Sequence, residues 1–162
     1  MLANRLNERT HPNQVQLCVL AKYPVPGKCK TRLISPEFSA EQAADLQQAM
    51  TARILSTCRR YVASTGDNDS TSGRIVTAFT GGTHEEMLRL YAPTQIDEGD
   101  EAPSRGGPVE ITFAPQIEGD LGSRMRHVVQ QAWLDSSIAV VLGTDCPTVT
   151  PQLIDSAVQR LE

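Results

Sequence analysis

Val15-Gln-Leu-Cys-Val-Leu-Ala21, running straight into Lys22-Tyr-Pro-Val-Pro-Gly-Lys-Cys-Lys-Thr-Arg-Leu33, sets the architecture of this chain. The first seven residues are an apolar run rich in β-formers, as in a buried strand. Two prolines and a glycine directly after it exclude a continuing strand, so 22–32 is a loop at the strand's carboxyl end.

Outward from that stretch, strands and helices take turns. Ser39 to Tyr61 predicts a long amphipathic helix, opened by a Ser39/Gln42 capping box and lined by Leu46, Met50, Ile54, Cys58 and Tyr61 at helical spacing. Residues 64–73 read as a loop without apolar content. Arg74 to Phe79 is a second strand ending at Thr80-Gly81-Gly82, and Glu85 to Tyr91 a short helix. Ala92 to Pro108, acidic and rich in Gly and Pro, is long for a structureless loop and reads as mobile or functional. Val109 to Ala114 is a third strand. Leu121, Met125, Val128, Val129, Ala132 and Trp133 trace a helix that Asp120 can cap. Ile138 to Leu142, apolar throughout, suits a strand buried on both faces. Thr150 and Pro151 open a last helix with Leu153, Ile154, Ala157, Val158 and Leu161 inward. No hairpin signal joins neighbouring strands. The expectation is an α/β fold in three layers, a mainly parallel sheet with helices on both faces. Residues 1–14, polar and aperiodic, read as a flexible N-terminal arm, leaving 15–162 as a single domain.

The 162 residues are 40% hydrophobic, enough for a packed core rather than wholesale disorder. A net charge of −4 excludes nucleic-acid binding by bulk electrostatics. No apolar run approaches the ~18 residues of a membrane span, and nothing behind Met1 resembles a signal peptide. No membrane partner and a cytoplasmic location are therefore expected. Cys18, Cys29, Cys58 and Cys146 form no Cys-x-x-Cys pair, so neither a disulfide scaffold nor a zinc site is expected.

Charge is unevenly placed. The three lysines of the chain, Lys22, Lys28 and Lys30, fall within nine residues, Arg32 follows, and 21–34 contains no acid. An isolated positive loop on an acidic protein suits a local anion. In open parallel sheets ligands bind beyond the carboxyl ends of strands, where this loop, 80–83 and 143–147 all fall. Lysine supplies point charge and arginine a bidentate fork, which together suit a diphosphate; Gly27 suits a close approach of backbone to ligand. A solvated basic turn is the bland alternative. Asp145, after the most apolar strand, could hold Mg²⁺ or Mn²⁺ bridging phosphates, or merely bond turn amides. Arg124, in the first turn of its helix, could reach an anion or form a surface ion pair. Cys146 is expected to pack as a small buried hydrophobe, and His127 to be partly exposed. The loop is not a Walker A motif, because Lys22 stands where its first glycine belongs and Cys29 follows Lys28; no Gly-x-Gly-x-x-Gly follows any strand.

Three ordered segments, Ala21 to Leu33, Gly119-Asp-Leu-Gly-Ser-Arg-Met125 and Gly143-Thr-Asp-Cys-Pro147, together resemble motifs of a small bacterial family. It is the glycosyltransferase-A-like family often associated with arsenosugar biosynthesis, within the nucleotide-diphospho-sugar transferases. The resemblance covers roughly residues 15–161. It implies a Rossmann-like nucleotide-binding sandwich with strand order three-two-one-four. Lys22, Gly27, Lys28, Lys30, Arg32 and Arg124 would hold the nucleotide of a nucleotide-diphosphate sugar, and Asp145 a Mg²⁺ or Mn²⁺. Members of that family continue past the last helix, so this chain is expected to lack their C-terminal part, and no acceptor-activating base is assigned. The expected function is a metal-dependent glycosyl- or nucleotidyl-transferase-like protein; the alternative is a non-catalytic nucleotide-binding or regulatory module. With the C-terminal part absent, Ile138–Leu142 becomes a sheet edge without charge, proline or glycine, which predicts either a homodimer paired along it or marginal solubility.

Overall fold

The computed structural model describes residues 14–65, 72–91 and 109–161. Four strands, β1 (Gln14–Lys22), β2 (Ser72–Thr80), β3 (Ile111–Pro115) and β4 (Ile138–Gly143), pair in parallel in the order β3-β2-β1-β4. Helices α1 (Ala40–Thr65), α2 (His84–Tyr91), α3 (Leu121–Asp135) and α4 (Pro151–Gln159) connect or follow them. The parallel α/β sandwich and its strand order are those expected. Gln14, placed in the arm, is the first residue of β1; Ser64 and Thr65 belong to α1, and Ser72 and Gly73 to β2. The rest of the arm, 66–71 and the acidic 92–108 segment lie outside the described residues.

Local chemistry starts each helix. The Ser39 amide donates to Gln42 Oε1 at 2.8 Å and the Gln42 amide to Ser39 Oγ at 3.2 Å, the reciprocal capping box that the sequence calls for. Thr83 and Glu86 make a second box ahead of α2, at 2.7 and 3.2 Å. Asp120 accepts from the Ser123 amide at 2.7 Å, and Thr150 from the Leu153 amide at 3.2 Å, with Pro151 in the first turn of α4.

Period-two alternation divides the sheet into two faces. Val15, Leu17, Val19, Ile75, Phe79 and Phe113 meet Ile54, Tyr61, Met87 and Ile154 from α1, α2 and α4 in the main core. On the opposite face a smaller cluster among the described residues joins Cys18 and Ala78 to Val128 and Ala132 of α3, with Leu20, Ala139 and Val141 packed against it.

Several apolar positions expected inside stand outside. In α1 the inner line is Ala43, Gln47, Thr51, Ile54, Cys58 and Tyr61, while Leu46 is exposed and Met50 half-buried. The first turns of α1 overhang the loops beyond the strand ends, where small and hydrogen-bonding residues fit better than large apolar ones. In α3 only Val128 and Ala132 are buried; Leu121, Met125 and Trp133 are exposed, Trp133 by 62%. Among the described residues, α3 is the one helix on its sheet face, and no other helix covers its flanks. Leu153 of α4 and Leu161, just past its end, are exposed as well. Strand β4 was read as buried on both faces, yet only Ile138 is buried and Ala139 to Leu142 are half-buried, because among the described residues it pairs on one side only. No helix of the described residues is long and apolar enough to cross a membrane.

Candidate functional site

The register brings the strand ends level: Lys22 lies opposite Thr80, Phe79 opposite Pro115 and Leu20 opposite Gly143. The segments that leave the strands therefore open onto one edge.

The basic loop begins with Tyr23, whose amide donates to the Thr80 carbonyl at 2.8 Å and extends the β1–β2 pairing. Its ring covers Gly82 so closely that a Cβ there would sit 2.6 Å from Tyr23 Cγ, which ties the 22–32 and 80–83 loops together. Val25 to Lys28 is a β-turn, closed by the Lys28 amide to the Val25 carbonyl at 3.0 Å, with Pro26 and Gly27 (φ +73°) in the central positions. That is the type II pattern, and the turn by itself accounts for a glycine there; a Cβ on Gly27 would meet nothing within 4 Å.

Cys29 is buried beneath the turn, its thiol 3.4 Å from the Val25 carbonyl and 3.9 Å from that of Ala43. Lys30 follows in left-handed backbone (φ 49°), ahead of a short 3-10 turn over Thr31–Leu33. The two chain directions separate the cations. Lys28, Lys22 and Arg32 face solvent, whereas the Lys30 side chain is only 15% exposed and its ammonium is ion-paired with Asp145.

Asp145 belongs to the turn after β4, and α1 holds that turn on both flanks. Gln47 Nε2 donates to Thr144 Oγ1 at 3.2 Å and to Thr51 Oγ1 at 3.1 Å, all three residues being buried. Arg53 Nε donates to the Pro147 carbonyl at 2.7 Å. Between these anchors the Asp145 side chain is 75% exposed. Cys146 is exposed rather than packed, since Thr144 takes the inward position of the turn.

Arg124 stands at the other end of the edge. Gln116, just past β3, donates from its amide nitrogen to the carbonyls of Ala78 at 2.8 Å and Ala21 at 3.1 Å, and its Oε1 accepts from Arg124 Nη1 at 3.4 Å. The guanidinium is thereby fixed over the ends of β1 and β2, with Nε buried and without a hydrogen-bond partner among the described residues. A buried unpaired donor costs stability unless a ligand satisfies it. Nearby, the Ser123 amide holds the Asp120 carboxyl below the usual range, with Ser123 Oγ and Arg124 helping.

The structure thus joins Lys30 with Asp145 and sets Arg124 over the strand ends; no hydrogen bond or ion pair links Arg124 to the basic loop among the described residues. Gln47, Arg53 and Gln116 were not singled out by sequence reasoning. The one available signal was polarity at Gln47 and Thr51, i and i+4 on the inner line of α1.

As for a cation, no group of three or more His, Cys, Asp or Glu among the described residues could hold one. Mg²⁺, however, commonly takes one or two carboxylates and completes its shell with water and substrate phosphates. A mostly exposed Asp145, held at its backbone by α1, fits that minimal role.

The family described as "Uncharacterized protein conserved in bacteria (DUF2064)" matches residues 49–162. No curated protein matches the chain. Among solved structures, a "putative nucleotide-diphospho-sugar transferase" from Desulfovibrio desulfuricans G20 is similar with a TM-score of 0.64 and 24% identity, over 90% of this chain and 53% of that one. The likeness establishes the fold, and this chain spans about half the length of that structure's chain.

Proposed function

Since the chain belongs to the bacterial family DUF2064, we propose that it binds a nucleotide-diphosphate sugar at the carboxyl edge of its sheet. We read it as a cytoplasmic glycosyl- or nucleotidyl-transferase-like protein. The observation that carries this reading is Arg124: a guanidinium fixed over the strand ends by Gln116, with a buried Nε that lacks a partner among the described residues. It stands at the edge onto which the loop bearing Lys22, Lys28, Lys30 and Arg32 also opens. Gly27 takes the left-handed position of the turn in that loop, in which Lys22, Lys28 and Arg32 face solvent and Lys30 faces Asp145.

Departure of a diphosphate is helped by positive charge fixed where negative charge develops. Lys28, Lys30 and Arg32 would supply it from the loop and Arg124 from α3. A Mg²⁺ or Mn²⁺ held by Asp145 would add Lewis-acid charge against the same phosphates. The reading extends to pairing of two copies along β4, supported by its half-buried apolar residues and by its pairing on one side only among the described residues; light scattering over a concentration series tests it, and a monomer throughout would overturn it.

Calorimetry with UDP, GDP and CDP in the presence of Mn²⁺, followed by donor hydrolysis, tests the function. Binding of one of them is expected, weakened at least tenfold in a Lys28→Ala/Lys30→Ala double variant, given roughly 1.5–3 kcal/mol per charge-assisted contact. Binding equal to the parent's would mean that the loop is a solvated turn. Binding without turnover would mark a nucleotide-binding module rather than an enzyme.

A further inference from the structure

We propose that Lys30 and Asp145 form a latch that makes cation binding depend on diphosphate binding. Without an anion in the loop, the Lys30 ammonium occupies the Asp145 carboxylate and masks it; a diphosphate draws the ammonium away and opens the carboxylate to a divalent cation. The inference rests on the nucleotide reading given above.

The structure says which partner moves. Asp145 lies in a turn that α1 grips on both sides, through Gln47 to the buried Thr144 and through Arg53 to the Pro147 carbonyl. The carboxylate's backbone therefore cannot follow the lysine. Lys30 sits next to the buried anchor Cys29, but its ammonium ends a flexible four-carbon stem that can swing without moving the loop.

The charges set the direction. Lys22, Lys28 and Arg32, in the same loop, have no ion-pair partner among the described residues. A diphosphate entering the loop meets all of these cations, and it offers Lys30 more negative charge than the one mostly exposed carboxylate does. An ammonium and a divalent cation compete for Asp145, whereas the ammonium and the diphosphate attract. Diphosphate and cation therefore favour one another through Lys30, and the coupling is reciprocal: each raises the other's affinity by the same factor.

Chelation of a cation by the nucleotide's own phosphates also produces cooperativity, so the test must isolate Lys30. Mn²⁺ is titrated into the parent and into Lys30→Met, with broadening of the amide resonances around Asp145 as the readout. Without nucleotide, the variant is expected to bind Mn²⁺ there about fivefold more tightly or better. Adding Asp145→Asn in the same background should abolish that gain. Lys30→Gln serves equally if the Met variant does not fold.

Equal Mn²⁺ affinity in parent and variant overturns the latch. With UDP present, the parent's Mn²⁺ affinity should rise by a larger factor than the variant's; equal factors would assign all cooperativity to chelation and overturn the coupling. A parent that binds neither UDP, GDP nor CDP overturns the nucleotide reading instead, while the nucleotide-free titration still decides whether Lys30 masks Asp145.

Discussion

On one face of the sheet, α1, α2 and α4 bury Leu17, Ile54, Tyr61, Ile75, Met87 and Phe113 in one continuous cluster; on the other, α3, the one helix there among the described residues, lays Val128 and Ala132 over Cys18 and Ala78. Hydrophobic stabilisation grows with apolar area removed from water, so the first face carries most of the fold. The candidate site draws on both. Asp145 is steadied by α1, from the thick face; Arg124 comes from α3, on the thin one. Local opening of α3 can thus disturb Arg124 while Lys30 and Asp145 stay in place.

The largest expected effect breaks the thick face. Ile54→Ala removes a fully buried side chain and should cost about 3 kcal/mol in denaturant unfolding, within the usual range for such cavities. A loss under about 1 kcal/mol would mean that the first face is not the dominant core. Next, Val128→Ala should cost only roughly 1–2 kcal/mol, since water can reach the half-open surroundings and no dry cavity need form. Thiol labelling sharpens the contrast. Cys146 is exposed and should react at once. Burial raises the pKa of both Cys18 and Cys58, the latter to about 12, so each reacts only after opening. In Val128→Ala, Cys18 should become reactive at denaturant concentrations that still protect Cys58; simultaneous exposure would make the two faces one cooperative unit.

A smaller effect is expected from acid. The Asp120 carboxyl is lowered chiefly by the Ser123 amide, so its support of α3 is complete above the ordinary aspartate pKa of about 3.9 and is lost as pH falls through the lowered folded value. Between those limits amide hydrogen exchange in α3 should accelerate relative to exchange in α1, and Asp120→Asn should remove that acid step. Trp133→Gln should have the smallest effect, within about 0.5 kcal/mol. A large loss there would show that the outer side of α3 is covered in solution.

Signals confined to a few residues were legible. Ser39 with Gln42, Asp120 with Ser123, and Thr150 with Pro151 are caps whose partners lie within three positions, so the sequence carries the whole interaction. The strand ends were legible too, because Pro24, Pro26, Gly27 and Gly81 cannot continue a buried strand, and with the strand ends came the edge on which the lysines fall. Apolar spacing revealed that Leu121, Met125 and Trp133 share a side of α3. It could not reveal whether anything packs on that side, which depends on how many helices the sheet face holds. Gln47 lay outside the apolar stripe, and its partner Thr144 is 97 positions away, beyond the reach of any local pattern. The Lys30–Asp145 pair spans 115 positions and follows from the β1–β4 pairing, not from any local motif.

Lys30 also stands in a backbone conformation that costs an ordinary side chain roughly 1–2 kcal/mol and glycine almost none. The most stable version of this loop and the most useful one are therefore different sequences. A search for thermostable variants would be drawn to Lys30→Gly, which relaxes the backbone and gives away the charge. The position is one where improving the fold would erode what the fold presents.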